Sequence, residues 1–115
     1  MNKNNNSKLT QISGDELLKI LEALANPHRL KVMGLLKDRR IHVSQLAREA
    51  QISRPLLYMH LKRLEEAGLV KSQMELSEDG KAMNFYELVP FAIMLDIEHI
   101  TEAVKSLTFK KTSEN

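Results

Sequence analysis

Apolar residues recur at helical spacing in five stretches of this 115-residue chain, which predicts a mainly helical protein. The first predicted helix follows Ser13 and runs to about Ala25. Its opening Ser-Gly-Asp-Glu has the form of a capping box, in which the hydroxyl and the glutamate each satisfy a free backbone N–H. The second starts at Asn26-Pro27 and reaches about Asp38, because asparagine caps helices well and proline suits the first helical position.

Two more predicted helices follow in close succession. A short one spans residues 45–50 with Ser44 as its cap. Ser53 caps a longer one that ends at Gly68, a residue type suited to the left-handed position after a helix. The longer helix places three leucines on one side, where we expect them to face a core. They are Leu57, Leu61 and Leu64.

The pattern then changes to extended segments. Residues 69–76 and 83–88 flank Asp79-Gly80, a dipeptide typical of hairpin turns. Pro90 opens a last predicted helix to about Thr108, whose apolar stripe advances by four, three, four and three residues. The stripe consists of Ile93, Ile97, Ile100, Val104 and Leu107.

The order α-α-α-α-β-β-α predicts a mainly α fold with a small β-hairpin wing, the winged helix-turn-helix. We expect one domain over residues 13–108. Residues 1–12 are predicted to form a disordered N-terminal tail and residues 109–115 a polar C-terminal tail.

Charge is distributed unevenly. The net charge is only +2, yet residues 27–71 contain ten lysines and arginines against four acids, and the remainder is acidic. A basic middle segment is typical of a face that binds a polyanion. The alternative is a chance segregation of solvated charges.

Composition excludes several other classes. The chain has no cysteine, which excludes disulfides, thiolate metal sites and cysteine nucleophiles. No apolar run reaches the ~20 residues that span a bilayer, and the N-terminus lacks a signal-peptide pattern, so we expect a cytoplasmic protein without a membrane partner. There is neither a glycine-rich phosphate loop nor a Ser-His-Asp order, so we expect no enzyme.

The fourth predicted helix carries side chains that a core does not need. An α-helix fits the major groove of double-stranded DNA, where base edges present a distinguishable pattern of donors and acceptors. The alternative is that its tyrosine and methionine pack on a neighbouring element and its cations are solvated. The DNA-binding hypothesis assigns base contacts to Arg54, Leu56 and Met59, and phosphate contacts to Ser53, Tyr58 and Lys62.

Three stretches resemble the ArsR/SmtB-type winged-helix repressors. ALANPHRLKVMGLL at 23–36 is similar to their second helix, VSQLAREAQISRPLLYMHLKRLEEAGLV at 43–70 to their helix-turn-helix, and GKAMNFYEL at 80–88 to the return strand of their wing. The resemblance covers about residues 14–108. It implies a homodimeric transcriptional regulator, a repressor, that binds a palindromic operator.

The resemblance also implies which residues meet each partner. It carries DNA contact over to the fourth-helix residues above and to Lys81 near the wing tip. The tip also bears Glu75, Glu78 and Asp79, so contact through the wing stays open. The first and last helices would form the dimer interface, although the last stripe has the alternative of closing the monomer's own core. The implied interface residues are Leu17, Ile93, Ile97, Ile100, Val104 and Leu107.

Members of this family sense metals through cysteines near the third helix or through acidic and histidine side chains on the last. The cysteines are absent here. Asp96, His99 and Glu102 are three residues apart, and each step of three turns the side chain about 60° backward, so they do not converge on one ion. We therefore expect no metal or other cofactor, with Asp96 and His99 as the remaining weak candidate pair. His60 is predicted to be hydrogen-bonded beneath the fourth helix.

Two functions remain after these exclusions. The first is a dimeric DNA-binding regulator, favoured by the basic middle segment and by Arg54 at a helix start. The second is a winged-helix module that binds a protein and does not read DNA sequence, favoured by the acidic wing. Salt dependence separates them, because affinity for DNA falls steeply as salt rises.

Overall fold

In the computed structural model, residues 12–110 are described. Within this range they form α1 (Gly14–Leu24), α2 (Pro27–Leu35), β1 (Arg40–His42), α3 (Val43–Ala50), α4 (Arg54–Glu66), β2 (Val70–Leu76), β3 (Ala82–Leu88) and α5 (Ile97–Val104). Two compact units result. One is Ile20–Pro90, and the other consists of the two ends of the described chain, up to Lys19 and from Phe91.

The Ile20–Pro90 unit encloses a core of aliphatic side chains. The three leucines of α4 lie inside it, as predicted, because they stand three or four residues apart on one helix face. Tyr86 of β3 and Ile41 of β1 close the core from the sheet. The fully buried side chains are Val32, Leu36, Leu46, Leu57, Leu61, Leu64 and Leu69.

Capping fixes where α3 and α4 begin. The Leu56 N–H donates to Ser53 Oγ at 3.3 Å, so the predicted cap of α4 is confirmed. The prediction for α3 was wrong. Its cap is His42, whose Nδ1 accepts from the Ser44 N–H at 3.1 Å, and the helix starts at Val43.

The predicted hairpin is present, and a third strand joins it. The antiparallel sheet has the order β1-β3-β2, with Ile41 opposite Tyr86 and Gln73 opposite Phe85. Gly80 sits in the turn with φ +84°, a conformation in which glycine is not strained. The element order is therefore α-α-β-α-α-β-β-α. The sequence did not reveal β1, because three residues are too few to show an alternating pattern.

The capping box at the start of α1 is confirmed within the unit of the chain ends. The Ser13 N–H donates to Glu16 Oε1 at 3.0 Å, and the Glu16 N–H donates to Ser13 Oγ at 3.1 Å. Each residue therefore satisfies one free N–H of the other's backbone, as a capping box requires.

The start of α1 lies against the end of α5. The Gly14 N–H donates to Ser106 Oγ at 2.7 Å. The Thr108 N–H donates to Asp15 Oδ1 at 2.9 Å, and this hydrogen bond lowers the pKa of the Asp15 carboxyl. A Cβ on Gly14 would lie 2.1 Å from the Ala103 carbonyl oxygen, so only glycine fits here.

The last helix is shorter than predicted. The prediction had it begin at Pro90, but residues 91–95 are irregular and α5 starts at Ile97. Free N–H groups at a helix start need a capping side chain. Val89, which precedes Pro90, has none to offer, whereas the Asp96 carboxylate accepts from the His99 N–H at 2.8 Å.

The shorter helix corrects the predicted stripe. Ile93 precedes α5, and Leu107 follows its end at Val104. Only Ile97, Ile100 and Val104 of the five stripe residues therefore share a helical face.

Residues 1–11 and 111–115 lie outside the described part of the chain, so the two tails stay predictions. Among residues 12–110, no helix combines the length and the apolar character needed to cross a membrane.

Candidate nucleic-acid interface

Helix α4 has one buried and one exposed face. Leu57, His60, Leu61 and Leu64 are buried. On the other side Met59 is 61% exposed and Tyr58 39%, so Met59 does not pack away on a neighbouring element, whereas Tyr58 is partly covered. Exposed apolar side chains that lie together, rather than singly, are typical of a contact surface. The other exposed or half-exposed residues of this face are Arg54, Leu56, Lys62 and Arg63.

The first turn of α4 presents Ser53 and Arg54 together. The Ser53 oxygen accepts from the Leu56 N–H, which leaves its own hydroxyl proton free to donate. Arg54 is exposed at the first position of the helix. This position suits base contact, because in helix-turn-helix proteins the N-terminal residues of the reading helix reach the base edges.

An open cleft of about 570 Å³ separates the start of α4 from the wing. It brings together three of the predicted DNA-contact residues, Arg54, Tyr58 and Lys81. Met59 and Lys62 do not line it. The start of α3 forms a further wall, through His42, Val43 and Ser44.

Asp79 places a fixed negative charge in the same cleft. Its carboxylate accepts a hydrogen bond from the Ser77 hydroxyl and another, at 3.3 Å, from the Lys81 N–H. Both hydrogen bonds lower the pKa of the Asp79 carboxyl. Lys81 is thus beside an anion, and the cationic character of the cleft comes mainly from Arg54.

Half of the ten cations in residues 27–71 bind other groups of the same chain. Arg29 Nε donates to the Ala23 carbonyl at 2.6 Å, and Lys31 Nζ donates to the Ala50 carbonyl at 3.3 Å. Both therefore cap the carboxyl ends of neighbouring helices, where positive charge is favoured. The other three form ion pairs, namely Lys37 with Asp38, Arg39 with Glu49 and Arg40 with Glu75.

The other five cations form neither an ion pair nor a side-chain hydrogen bond to any residue between 12 and 110. The free cations are Arg48, Arg54, Lys62, Arg63 and Lys71, and three of these lie on α4. The structure therefore concentrates a diffuse basic segment onto one helix. Sequence counting missed this, because the internal acceptors are backbone carbonyls or acids distant in the chain.

The wing is less acidic than its sequence indicates. Glu75 pairs with Arg40, whose guanidinium carbon lies 4.2 Å from the centre of the Phe85 ring. The side chain of Arg40 thus crosses from β1 over β3 to β2. One of the three wing carboxylates is neutralised by this contact.

The surface of α5 is apolar and open. None of its residues is buried, and Ile97 is 68% exposed. Ile100 and Val104 are exposed beside it, whereas Leu17 is already buried within the single chain. Sequence reasoning missed four further exposed apolar residues near α5, although the run FAIML at 91–95 was a visible signal. They are Phe91, Met94, Leu95 and Phe109.

Asp96 and His99 contact each other directly. His99 Nδ1 lies 2.6 Å from Asp96 Oδ1, and the same carboxylate caps α5. Within residues 12–110, no group of three or more histidine and acidic side chains is placed to hold a metal ion. The Asp96 carboxylate instead serves the helix start.

Comparison with known proteins identifies the family. The sequence profile of the family described as "Bacterial regulatory protein, arsR family" matches residues 26–72. An uncharacterised HTH-type transcriptional regulator of Methanocaldococcus jannaschii is 38% identical over 85 residues, which cover 74% of this chain and 88% of the relative. The chain belongs to the arsR family. Its members are transcriptional regulators and not enzymes, so the resemblance noted in the sequence is confirmed.

Solved structures confirm the fold of this arsR-family protein. HlyU from Vibrio cholerae superposes with a TM-score of 0.58 at 25% identity, covering 79% of this chain and 87% of that one. A Mycobacterium bovis protein, described as a homodimeric winged helix-turn-helix DNA-binding domain and a possible ArsR-family regulator, gives 0.59 at 22% identity, with 76% and 70% covered. The protein is a winged helix-turn-helix transcriptional regulator.

Proposed function

We propose that this regulator binds DNA as a homodimer and recognises a palindromic operator with α4 in the major groove. It acts in the cytoplasm and represses transcription by occupying the operator. The observation that carries the proposal is the exposed face of α4, which holds three free cations together with the exposed Met59. These cations reach phosphates or bases without first breaking an internal ion pair, and DNA affinity depends strongly on such contacts.

The roles of individual residues follow from their positions. Arg54 reads a guanine from the first turn, and Leu56 and Met59 touch thymine methyl groups. Phosphate contacts belong to Ser53, Tyr58 and Lys62, which hold the helix in register. Lys81 adds a weaker phosphate contact from the wing, because Asp79 stands beside it.

The exposed apolar surface of α5 supports the homodimer. A second copy related by a two-fold axis would cover Ile97, Ile100 and Val104 with the same residues. The two copies of α4 would then stand about one DNA turn apart, near 34 Å. The Mycobacterium bovis neighbour is described as homodimeric, which agrees with this arrangement.

Selection of bound fragments from a genomic DNA library tests the proposal. At near-physiological salt we expect an inverted repeat whose half-sites lie one turn apart. Sequence-blind recovery would refute operator recognition. No recovery at all would favour the protein-interaction module, which the acidic wing tip supports.

Activation is the second candidate for the direction of regulation. A relative from Vibrio cholerae named transcriptional activator HlyU is 34% identical over 56 residues, which cover 49% of this chain and 52% of the relative. A reporter gene placed behind the selected operator separates the two directions. Repression predicts higher expression after deletion of the regulator, and activation predicts lower expression.

A further inference from the structure

A buried histidine lies on the inner face of α4. His60 is 6% exposed and is the only buried polar or charged residue between residues 12 and 110. Its Nδ1 accepts from Arg29 Nη1 at 3.2 Å, and its ring centre lies 5.5 Å from that of His28. The histidine follows Met59 in the chain and, unlike Met59, is buried.

Arg29 joins three helices through this contact. Its Nε donates to the Ala23 carbonyl at 2.6 Å, and its Nη2 donates to the Glu22 carbonyl at 3.5 Å. These carbonyls belong to the last turn of α1, Arg29 itself belongs to α2, and His60 belongs to α4. One guanidinium therefore links α4 to the other two helices.

The contact requires neutral His60. Arginine has only donors, so Nδ1 must offer a lone pair, and the ring proton must sit on Nε2. Protonation of Nδ1 would replace the hydrogen bond with two positive charges in a buried place. Protonation of His60 would therefore break the hydrogen bond that joins α4 to Arg29.

We propose that Arg29 and neutral His60 are positioning residues for α4, and that protonation of His60 weakens operator binding by releasing the helix. The proposal rests on the DNA-binding function proposed above. It concerns the placement of the reading helix, since neither side chain lies on the exposed face.

The surroundings of His60 all favour its neutral form. Burial is the largest cause of its lowered pKa, followed by the charges of Arg29 and then His28, both on α2. The last turn of α1 contributes backbone carbonyls to the cluster. Within the described chain, α3 and β2 also pack against α4, but neither holds an ionisable group among the causes of this shift. The effect on DNA binding therefore begins below about pH 6.5, the ordinary histidine pKa.

The expected sign opposes that of simple electrostatics. Acidification adds positive charge to a protein, which by itself strengthens binding to DNA. Loss of the Arg29–His60 hydrogen bond, which positions α4, weakens binding to DNA. We expect operator affinity to fall about threefold or more between pH 7.5 and pH 5.0, since each linked proton changes affinity by up to tenfold per pH unit.

The experiment measures operator affinity by fluorescence anisotropy from pH 8 to pH 5 at constant salt. His60→Asn keeps an oxygen close to the position of Nδ1 but does not titrate, so it should bind as the wild type does at pH 7.5 and show no acid loss. Arg29→Gln should lower affinity at pH 7.5 and flatten the profile. The matched control His28→Asn should retain the acid loss.

Two results would overturn the role of His60 in acid-weakened binding. A wild-type affinity that is constant or rises on acidification would overturn the proposal, as would an acid loss that persists unchanged in His60→Asn. If His60→Asn does not fold, an NMR pH titration of the wild type replaces it. The amide shifts of α4 should then follow the His60 ring, and unmoved shifts would refute the coupling. Absence of operator binding at pH 7.5 would instead reject the proposed function.

Discussion

The Ile20–Pro90 unit and α5 differ in how they use apolar side chains. In the former, Val32 of α2, Leu46 of α3 and the leucines Leu57, Leu61 and Leu64 of α4 are fully buried. In α5 every residue is at least partly exposed, and Ile97, Ile100 and Val104 face solvent together. Burial of a large aliphatic side chain contributes about 1.5–3 kcal/mol. The first region gains this energy within one chain, whereas α5 gains it only when something covers it.

Helices α2 and α4 also differ in what their positively charged side chains bind. The cations of α2, Arg29 and Lys31, bind backbone carbonyls at the ends of neighbouring helices, whereas those of α4 are free. The interior of the Ile20–Pro90 unit thus supports the fold. Under the proposed function, the exposed face of α4 binds DNA and the α5 surface contacts a second copy of the chain.

The largest expected effect is a loss of stability when the core of the Ile20–Pro90 unit is altered. Leu61→Ala should lower the free energy of unfolding by about 2–5 kcal/mol, because it leaves a cavity in a closed core. Met59→Ala, on the opposite face of the same helix, should change it by about 0.5 kcal/mol or less. Urea denaturation followed by circular dichroism measures both. Equal losses would contradict the two-faced description of α4.

The next prediction tests the apolar surface of α5. Ile97→Glu combined with Ile100→Glu should weaken dimerisation by about a hundredfold or more, because it would bury charges in an apolar contact. Light scattering across a concentration series should then report monomers. The control Lys105→Glu changes the net charge by as much on an exposed site and should remain dimeric. A double variant that stays dimeric would place the interface elsewhere.

A smaller effect tests the reading role of Arg54. Arg54→Ala should reduce the preference for the operator over a scrambled site by about 1–3 kcal/mol if its guanidinium contacts a guanine. Arg63→Ala, which removes a free cation farther along α4, should weaken binding to both sites equally. Competition titrations with the two DNA duplexes measure the difference. An unchanged preference in Arg54→Ala would reject base reading by this residue.

Signals from residues close together in the sequence were sufficient to predict much of this structure. The Ser13 and Ser53 caps, the leucine spacing of α4 and the Asp79-Gly80 turn each depend on residues a few positions apart. Contacts distant in the chain were not predictable in this way. The pairing of β1 with β3, the use of Arg29 beneath α4 and the Arg40–Glu75 ion pair all join separate segments.

The start of α5 is an instructive exception, because the decisive signal was local. Pro90 is compatible with a helix start, but Asp96 supplies the capping carboxylate that Val89 lacks. The helix begins where its free N–H groups find an acceptor.

Two exposed lysines offer the sharpest test of DNA binding through α4. Lys62 is free on α4, whereas Lys37 is paired with Asp38. The dependence of operator affinity on salt should be measured for Lys62→Ala and Lys37→Ala beside the wild type. We predict that Lys62→Ala reduces the slope of log affinity against log salt by about 1, the value of one lost phosphate contact, while Lys37→Ala leaves the slope unchanged. Equal slopes for both variants would contradict the claim that the free cations of α4 bind DNA.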